Sequence, residues 1–128
     1  MAREQGILPS FLTIDRPISM VATADIGRVG AELLLENQKG IVELAGPKDV
    51  SPLDVAAALS RLFGREVKAV QVPEEGIAPA LKQAGLSDQV AELFREMTVA
   101  LNRGHMSWVG EPLRGTIGLE ATLGSLLT

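Results

Sequence analysis

The residues best suited to chemistry in this sequence lie close together near its C-terminus. His105, Ser107 and Trp108 combine a ring that titrates near neutral pH, a hydroxyl and one large aromatic side chain in a predicted loop. Such a group can line a small-molecule pocket, and we predict that it lines a substrate pocket. The alternative is an ordinary surface loop, because a single loop histidine needs no functional partner.

A self-contained catalytic centre is not predicted. Nucleophilic catalysis needs Ser, Thr or Lys beside a base, yet no Gly-x-Ser-x-Gly turn occurs. Two of the serines, Ser51 and Ser87, are better placed as helix caps. The chain contains no tyrosine and no cysteine, so a tyrosine–lysine proton relay and a thiolate nucleophile are both excluded. We therefore predict no catalytic residue in this chain.

Cofactor and metal motifs are equally sparse. Gly27-Arg28-Val29-Gly30 has glycine spacing but falls inside a predicted helix, so we interpret these glycines as allowing close approach of another element rather than as a phosphate loop. One histidine and dispersed carboxylates do not match metal-ligand spacing. The prediction is that the chain alone has no cofactor-binding and no metal-binding residue.

Composition limits the class of protein. The 128 residues are 46% hydrophobic and 22% charged, which suits one folded domain. A net charge of −4 and only 3% aromatic residues argue against nucleic acid as a ligand. No apolar run approaches the roughly 20 residues that span a bilayer, and no signal sequence follows Met1. We expect a cytoplasmic protein without membrane contact.

The chain is predicted to consist of an irregular N-terminal arm, 1–17, and a single domain, 18–128. Three short strands are expected at 18–22, 41–45 and 67–72, together with about five helices, which indicates an α/β fold with α+β character. The strand at 41–45 is apolar on both faces apart from Glu43, and it lacks an obvious sheet neighbour.

The predicted helices span 24–36, 52–63, 77–84, 87–103 and 116–127. The clearest boundary has Ser51 as N-cap, Pro52 at the first helical position and Asp54 two residues later, with Gly64 after the last turn. Thr23 is expected to be the N-cap of the first of these helices, at 24–36. Apolar stripes predict the buried sides of two later helices: Val90, Phe94, Met97 and Leu101, then Leu119, Leu123, Leu126 and Leu127.

Several blocks of the sequence resemble one family in order and spacing. They are RPISMVATADIGRVGAELLLE (16–36), GIVELAGPKDVSPLDVAAALS (40–60), LFGREV (62–67), VQVP (70–73) and the late GT (115–116) and LE (119–120). Together they are similar to the C-terminal, substrate-side half of NmrA-like proteins, an atypical branch of the short-chain dehydrogenase/reductase superfamily. The resemblance covers nearly the whole chain.

The resemblance implies NAD(P) as the cofactor of full-length relatives, bound by a glycine-rich N-terminal half that has no counterpart here. It also implies that the strand at 41–45 extends the sheet of that half, which leaves an orphaned edge, and that the strands at 18–22 and 67–72 share a small sheet. We transfer no cofactor residue onto this sequence.

These considerations lead to one main functional hypothesis and two alternatives. The main one is a substrate-lobe domain that is not an enzyme on its own and self-associates as a homodimer through its exposed edge. The first alternative is one chain of a two-chain NAD(P)H-dependent reductase of quinone-like or carbonyl substrates, completed by a separate nucleotide-binding chain. The second is a regulatory, ligand-sensing module.

Overall fold

A computed structural model describes residues 2–127 as a mixed α/β fold. Its helices are α1 (Ala2–Gln5), α2 (Thr23–Leu35), α3 (Pro52–Phe63), α4 (Glu74–Gln83), α5 (Asp88–Asn102) and α6 (Leu119–Leu127). Its strands are β1 (Ile7–Ser10), β2 (Ile18–Ser19), β3 (Leu44–Ala45), β4 (Asp49–Val50), β5 (Lys68–Gln71) and β6 (Leu113–Arg114). Met1 and Thr128, the outer ends of the predicted arm and domain, lie outside the described residues.

The strands between residues 2 and 127 form three separate two-stranded sheets. β1 pairs in parallel with β5, β2 pairs antiparallel with β4, and β3 pairs in parallel with β6. The fold class predicted from the sequence is confirmed, but the predicted number of strands is too low by half. The missed strands β4 and β6 have two residues each, too short for any periodicity to reveal.

The N-terminal arm is not irregular. It contains α1 and β1, and β1 pairs with β5 over four residues from Ile7↔Lys68 to Ser10↔Gln71. Pro9 lies inside this strand. Because proline has no N–H to donate to a neighbouring strand, it is tolerated in edge strands, and each strand of a two-stranded sheet has one open edge. β5 therefore belongs to a different sheet from β2. The family resemblance implied that these two strands share one sheet, and that expectation is wrong.

The start of α3 is as predicted. The Ser51 hydroxyl accepts a hydrogen bond from the Asp54 backbone N–H at 3.2 Å, and the Asp54 carboxylate accepts one from the Ser51 N–H at 2.8 Å. This reciprocal capping box lowers the pKa of Asp54, chiefly through the Ser51 N–H. Gly64 ends the helix with φ of 64°, a left-handed conformation that glycine adopts without strain.

We predict that Ser51→Ala lowers the free energy of unfolding by about 1 kcal/mol. Ser51 is buried, and alanine removes the hydroxyl that accepts from the Asp54 N–H. Ser87→Ala is the matched control, because Ser87 caps α5 through a longer 3.4 Å bond on an exposed surface. Urea denaturation measures the free energy of unfolding of both variants, and we expect the larger loss for Ser51→Ala. An equal or larger loss of stability for Ser87→Ala would contradict this prediction.

One predicted core stripe does not face the core, and a second does so only in part. In α5 the buried residues are Ala91, Thr98 and Val99, whereas Phe94 and Met97 are 45% and 54% exposed. The helix packs against α4, and the side chains that it buries are not those of the predicted stripe. In α6, Leu123 packs against the core cluster of Ala56, Leu59 and Val67, but Leu126 is 74% exposed.

Three local predictions about α2 and the strand after it also need correction. The N-cap of α2 is Ala22, with no side-chain hydrogen bond, rather than Thr23. A methyl group added at Gly27 or Gly30 would meet nothing within 4 Å, so no element approaches these glycines closely. The strand expected at 41–45 shortens to β3, which pairs with β6 on one side, and its other edge has no strand partner among the described residues.

Candidate functional site

A cavity of about 350 Å³ lies where the arm, β2, β4 and the end of α5 meet, and we name it the arm cavity. Its walls are mostly apolar, with a guanidinium, a carboxylate and two hydroxyls among them. The lining residues are Arg16, Pro17, Ile18, Ser19, Asp49, Leu101, Gly104, Met106, Ser107 and Trp108. This volume falls within the range of small-ligand pockets.

The end of α5 is tied to the arm by hydrogen bonds of Asn102. The Asn102 side chain accepts from the Thr13 N–H at 2.9 Å and donates to the Phe11 carbonyl at 2.8 Å. The Arg16 guanidinium donates to the Asn102 carbonyl at 2.6 Å, which caps the helix end. These bonds hold the Arg16 side chain at one rim of the arm cavity.

The loop that carries Trp108 is held by Glu43. Its carboxylate accepts from the Val109 N–H at 2.9 Å and from the Gly110 N–H at 2.9 Å. The two N–H groups, Val109 first, lower the pKa of Glu43 below its usual value. The Glu43 carbonyl also accepts from the Leu113 N–H at 2.9 Å, so one residue fixes both ends of this segment.

The opposite wall is fixed by Arg114 and Ser19. Arg114 donates to the Gly46 carbonyl at 3.1 Å and forms an ion pair of 3.3 Å with Asp49. The Ser19 hydroxyl accepts from the Gly46 N–H at 3.0 Å. Because Asp49 is paired with Arg114, the unbalanced positive charge in the cavity wall is the Arg16 guanidinium.

The predicted cluster of His105, Ser107 and Trp108 is divided between two surfaces. Ser107 and Trp108 line the arm cavity, and Trp108 is 43% exposed. His105 lies instead in an open depression with Arg95, Glu96, Val99, Ala100 and Arg103. The left-handed backbone of Gly104, with φ of 76°, reverses the chain before His105.

Arg16 and Asp49 are the charged cavity residues that sequence reasoning missed. Both lie in segments that carry the family resemblance, yet neither has a local pattern that marks it as functional. They reach the cavity only because β2 pairs with β4 and the arm packs against the end of α5. A strand of two residues leaves too weak a signal to predict that pairing.

A buried carboxylate fixes the segment after β6. Asp25, 0% exposed, accepts from the Thr116 and Ile117 N–H groups at 2.9 and 2.8 Å. It also accepts from the half-exposed Arg28 side chain at 3.2 Å. The pKa of Asp25 is lowered, chiefly by the Ile117 N–H, although burial opposes the shift. Asp25 thus joins the start of α2 to the approach to α6.

The turn between β2 and α2 lacks the glycines of a dinucleotide-binding loop. Gly27 and Gly30 lie within α2, so the turn between β2 and α2 contains no glycine whose backbone could approach a pyrophosphate. No group of three metal-ligating side chains occurs among residues 2–127. None of the helices in this range is long and apolar enough to cross a membrane.

Known proteins similar to this chain are NADPH-dependent reductases. The chain is 27% identical over 110 residues to quinone oxidoreductase 2 of Escherichia coli strain K12, a match that covers 84% of this chain and 38% of the relative. A crystal structure of an NADPH-dependent quinone oxidoreductase from Escherichia coli, complexed with NADPH, matches 99% of this chain and 47% of its own, with 25% identity and a TM-score of 0.79.

A third relative shares the fold at lower identity. The triphenylmethane reductase of Citrobacter sp., complexed with NADP(H), matches 97% of this chain and 45% of its own, with 19% identity and a TM-score of 0.74. No protein-family model matches the chain. The chain spans less than half the length of these relatives and corresponds to the C-terminal part of the quinone oxidoreductase. The relationship to reductases expected from the sequence resemblance is confirmed.

Proposed function

We propose that this chain is the substrate-side part of an NmrA-like, NAD(P)H-dependent reductase and that the arm cavity binds a quinone or a flat carbonyl compound. One observation carries the proposal. In a chain similar to an NADPH-dependent quinone oxidoreductase, an apolar cavity holds an aromatic ring together with polar groups suited to a carbonyl oxygen.

The chemistry of the walls suits such a ligand. Trp108 and Met106 provide flat and polarisable contacts for an aromatic or quinoid ring. The Arg16 guanidinium and the Ser107 hydroxyl can donate hydrogen bonds to a carbonyl oxygen. A donor with a positive charge also stabilises the negative charge that grows on this oxygen during reduction. The chain would therefore bind and orient the substrate.

We assign the binding of NADPH to a region outside residues 2–127 of this chain. The cofactor of the relatives needs a cradle for its pyrophosphate, and the turn between β2 and α2 contains no glycine that would let the backbone approach one. We propose that a nucleotide-binding region or a separate chain provides this site. The chain alone would then bind substrate without reducing it, and no proton or hydride step is assigned to its residues.

The surface of α2 supports a partner. Leu34 and Leu35 at its end are 83% and 88% exposed, Ile41 in the segment that follows is 96% exposed, and exposed apolar side chains of this kind indicate a contact surface. We propose that a nucleotide-binding region or a second copy of the chain covers them. Light scattering of the chain alone distinguishes these two partners, since only self-association raises the molar mass with concentration.

The proposed function predicts saturable binding of 1,4-naphthoquinone to the isolated chain by isothermal titration calorimetry. The chain has no cysteine, so addition of the quinone to a thiol cannot imitate binding. Trp108→Ala is expected to weaken binding roughly tenfold, because it removes the aromatic wall of the cavity. At 100 times its dissociation constant the quinone should add about 2.7 kcal/mol to the free energy of unfolding.

Val109→Ala is the matched control. Val109 follows Trp108, is 98% exposed and does not line the cavity, so this variant should bind the quinone like the unmodified chain. Absence of binding to the unmodified chain would refute the proposal. Equal weakening by both substitutions would place the ligand elsewhere.

A further inference from the structure

One face of α5 is apolar and exposed. Val90, Leu93, Phe94 and Met97 are 40%, 58%, 45% and 54% exposed. At 3.6 residues per turn these four residues and Leu101 occupy a sector roughly 100° wide, and we call the five residues the α5 stripe. No charged residue of the helix falls in this sector.

The other sides of α5 have different partners. Ala91, Thr98 and Val99 are buried, and the helix packs against α4. Glu92 and Arg95 form an ion pair on the side of the helix opposite the stripe. The helix therefore does not need its apolar stripe to pack against this chain, and the stripe is available to a ligand.

The stripe leads into the arm cavity. Leu101, its last residue, is half-buried and forms part of the cavity wall with Met106 and Trp108. From Val90 to Leu101 the helix rises about 16 Å, at about 1.5 Å per residue. An apolar track of this length thus begins at the cavity and runs outward along one helix.

We propose that the α5 stripe binds the hydrocarbon tail of a prenylated quinone whose ring occupies the arm cavity. The inference rests on the proposed function and deepens it, because it names long-tailed quinones as the substrate class. A linear chain of methylene and methyl groups fits a single row of side chains, and its burial is favourable in proportion to the apolar area removed from water.

The size of the stripe argues against a second copy of the chain as its occupant. Four half-exposed apolar side chains offer roughly 400 Å² of contact, given about 200 Å² for a large side chain. A stable interface needs about 800 Å² from each partner. The area is sufficient for a tail but supplies only half of such an interface.

Two quinones with the same ring test the inference: 2,3-dimethoxy-5-methyl-1,4-benzoquinone and its 6-decyl derivative, both below their critical micelle concentrations. The decyl compound is expected to bind roughly tenfold more tightly by calorimetry. In the double variant Phe94→Ser with Met97→Ser, this ratio should fall to about 1 while affinity for the tail-free quinone is unchanged. Met97→Leu keeps an apolar side chain and should keep the ratio.

The control for non-specific partition is Leu34→Ser with Leu35→Ser, which removes two more exposed apolar side chains from α2. This variant should retain the tenfold ratio. Circular dichroism checks that each variant is folded, which is expected since the substituted side chains are about half-exposed or more.

The outcomes separate the two proposals. If the unmodified chain binds no tail-free quinone, the proposed function fails, and the inference fails with it. If it binds this quinone but the stripe variant keeps the ratio, or both double variants lose it, only the inference is overturned. A stripe variant that converts a dimer to a monomer in light scattering would show that a second copy covers the stripe and would also overturn the inference.

Discussion

Asp25→Ala is expected to lower the melting temperature by on the order of 10 °C. The Thr116 and Ile117 N–H groups both donate to one carboxylate oxygen of Asp25, and alanine leaves these two donors without an acceptor. Asp25→Asn should cause a smaller loss, because an amide oxygen at that position can still accept from both. Thermal denaturation followed by circular dichroism gives the order, and an Asn variant less stable than the Ala variant would contradict this account.

The charge of Asp25 also predicts a pH dependence. The hydrogen bonds from the loop and from Arg28 lower its pKa in the folded chain, so the stabilisation is present above the pKa of the unfolded state. It is lost as the pH falls from the unfolded value near 3.8 through the lower, folded value. The difference in stability between the unmodified chain and Asp25→Asn should shrink over this range. A constant difference would show that the carboxylate charge contributes nothing.

Gly46→Ala is expected to lower the free energy of unfolding by about 3 kcal/mol. A methyl group at Gly46 would overlap the carbonyl oxygen of Met20, a backbone atom that cannot move aside like a flexible side chain. The Gly46 N–H and carbonyl also bind Ser19 and Arg114, so a shift of this backbone disturbs one wall of the arm cavity. Urea denaturation measures the loss.

Gly30→Ala is the matched control and should have the opposite sign. Gly30 lies within α2, and nothing is found within 4 Å of the position of its missing methyl group. Alanine there should raise the free energy of unfolding by about 0.5–1 kcal/mol, because it reduces the entropy of the unfolded chain. If Gly30→Ala destabilised the chain as much as Gly46→Ala, close packing at Gly46 would not explain its effect.

The parts of the fold predicted from sequence are those with a strong local cause. The start of α3 is specified within four residues by Ser51, Pro52 and Asp54, and Gly64 alone sets its end. Ser87 caps α5 in the same way. Each of these signals depends on hydrogen bonds or backbone conformations between residues close in the chain. The helix boundaries that they predict therefore do not depend on the rest of the fold.

The parts that failed depend on contacts distant in sequence. β1 forms only because the arm meets β5 some sixty residues later. The α5 stripe has the spacing of a core-facing side, but periodicity cannot tell which side of a helix a neighbour will cover. Glu43 and Asp25 were assigned to a strand and a helix start, and their carboxylates in fact hold segments that lie 66 to 92 residues away.

The candidate site was predicted in the same uneven way. Ser107 and Trp108 were singled out because they place a hydroxyl and a large aromatic side chain beside a histidine in one predicted loop, and both line the arm cavity. His105 was grouped with them by proximity in sequence, which the turn at Gly104 breaks. Arg16 lies at the cavity because β2 pairs with β4 and because its side chain donates to the Asn102 carbonyl. Neither of these contacts can be recognised in the sequence.

The most direct test of the account is the indole N–H resonance of Trp108 in a proton–nitrogen correlation spectrum. The chain has one tryptophan, so this signal needs no further assignment. On addition of a tail-free quinone, the resonance should shift saturably with the dissociation constant measured by calorimetry, and NADPH alone should leave it unchanged. An indole signal that stays fixed while the quinone binds would contradict the assignment of the arm cavity as the substrate site.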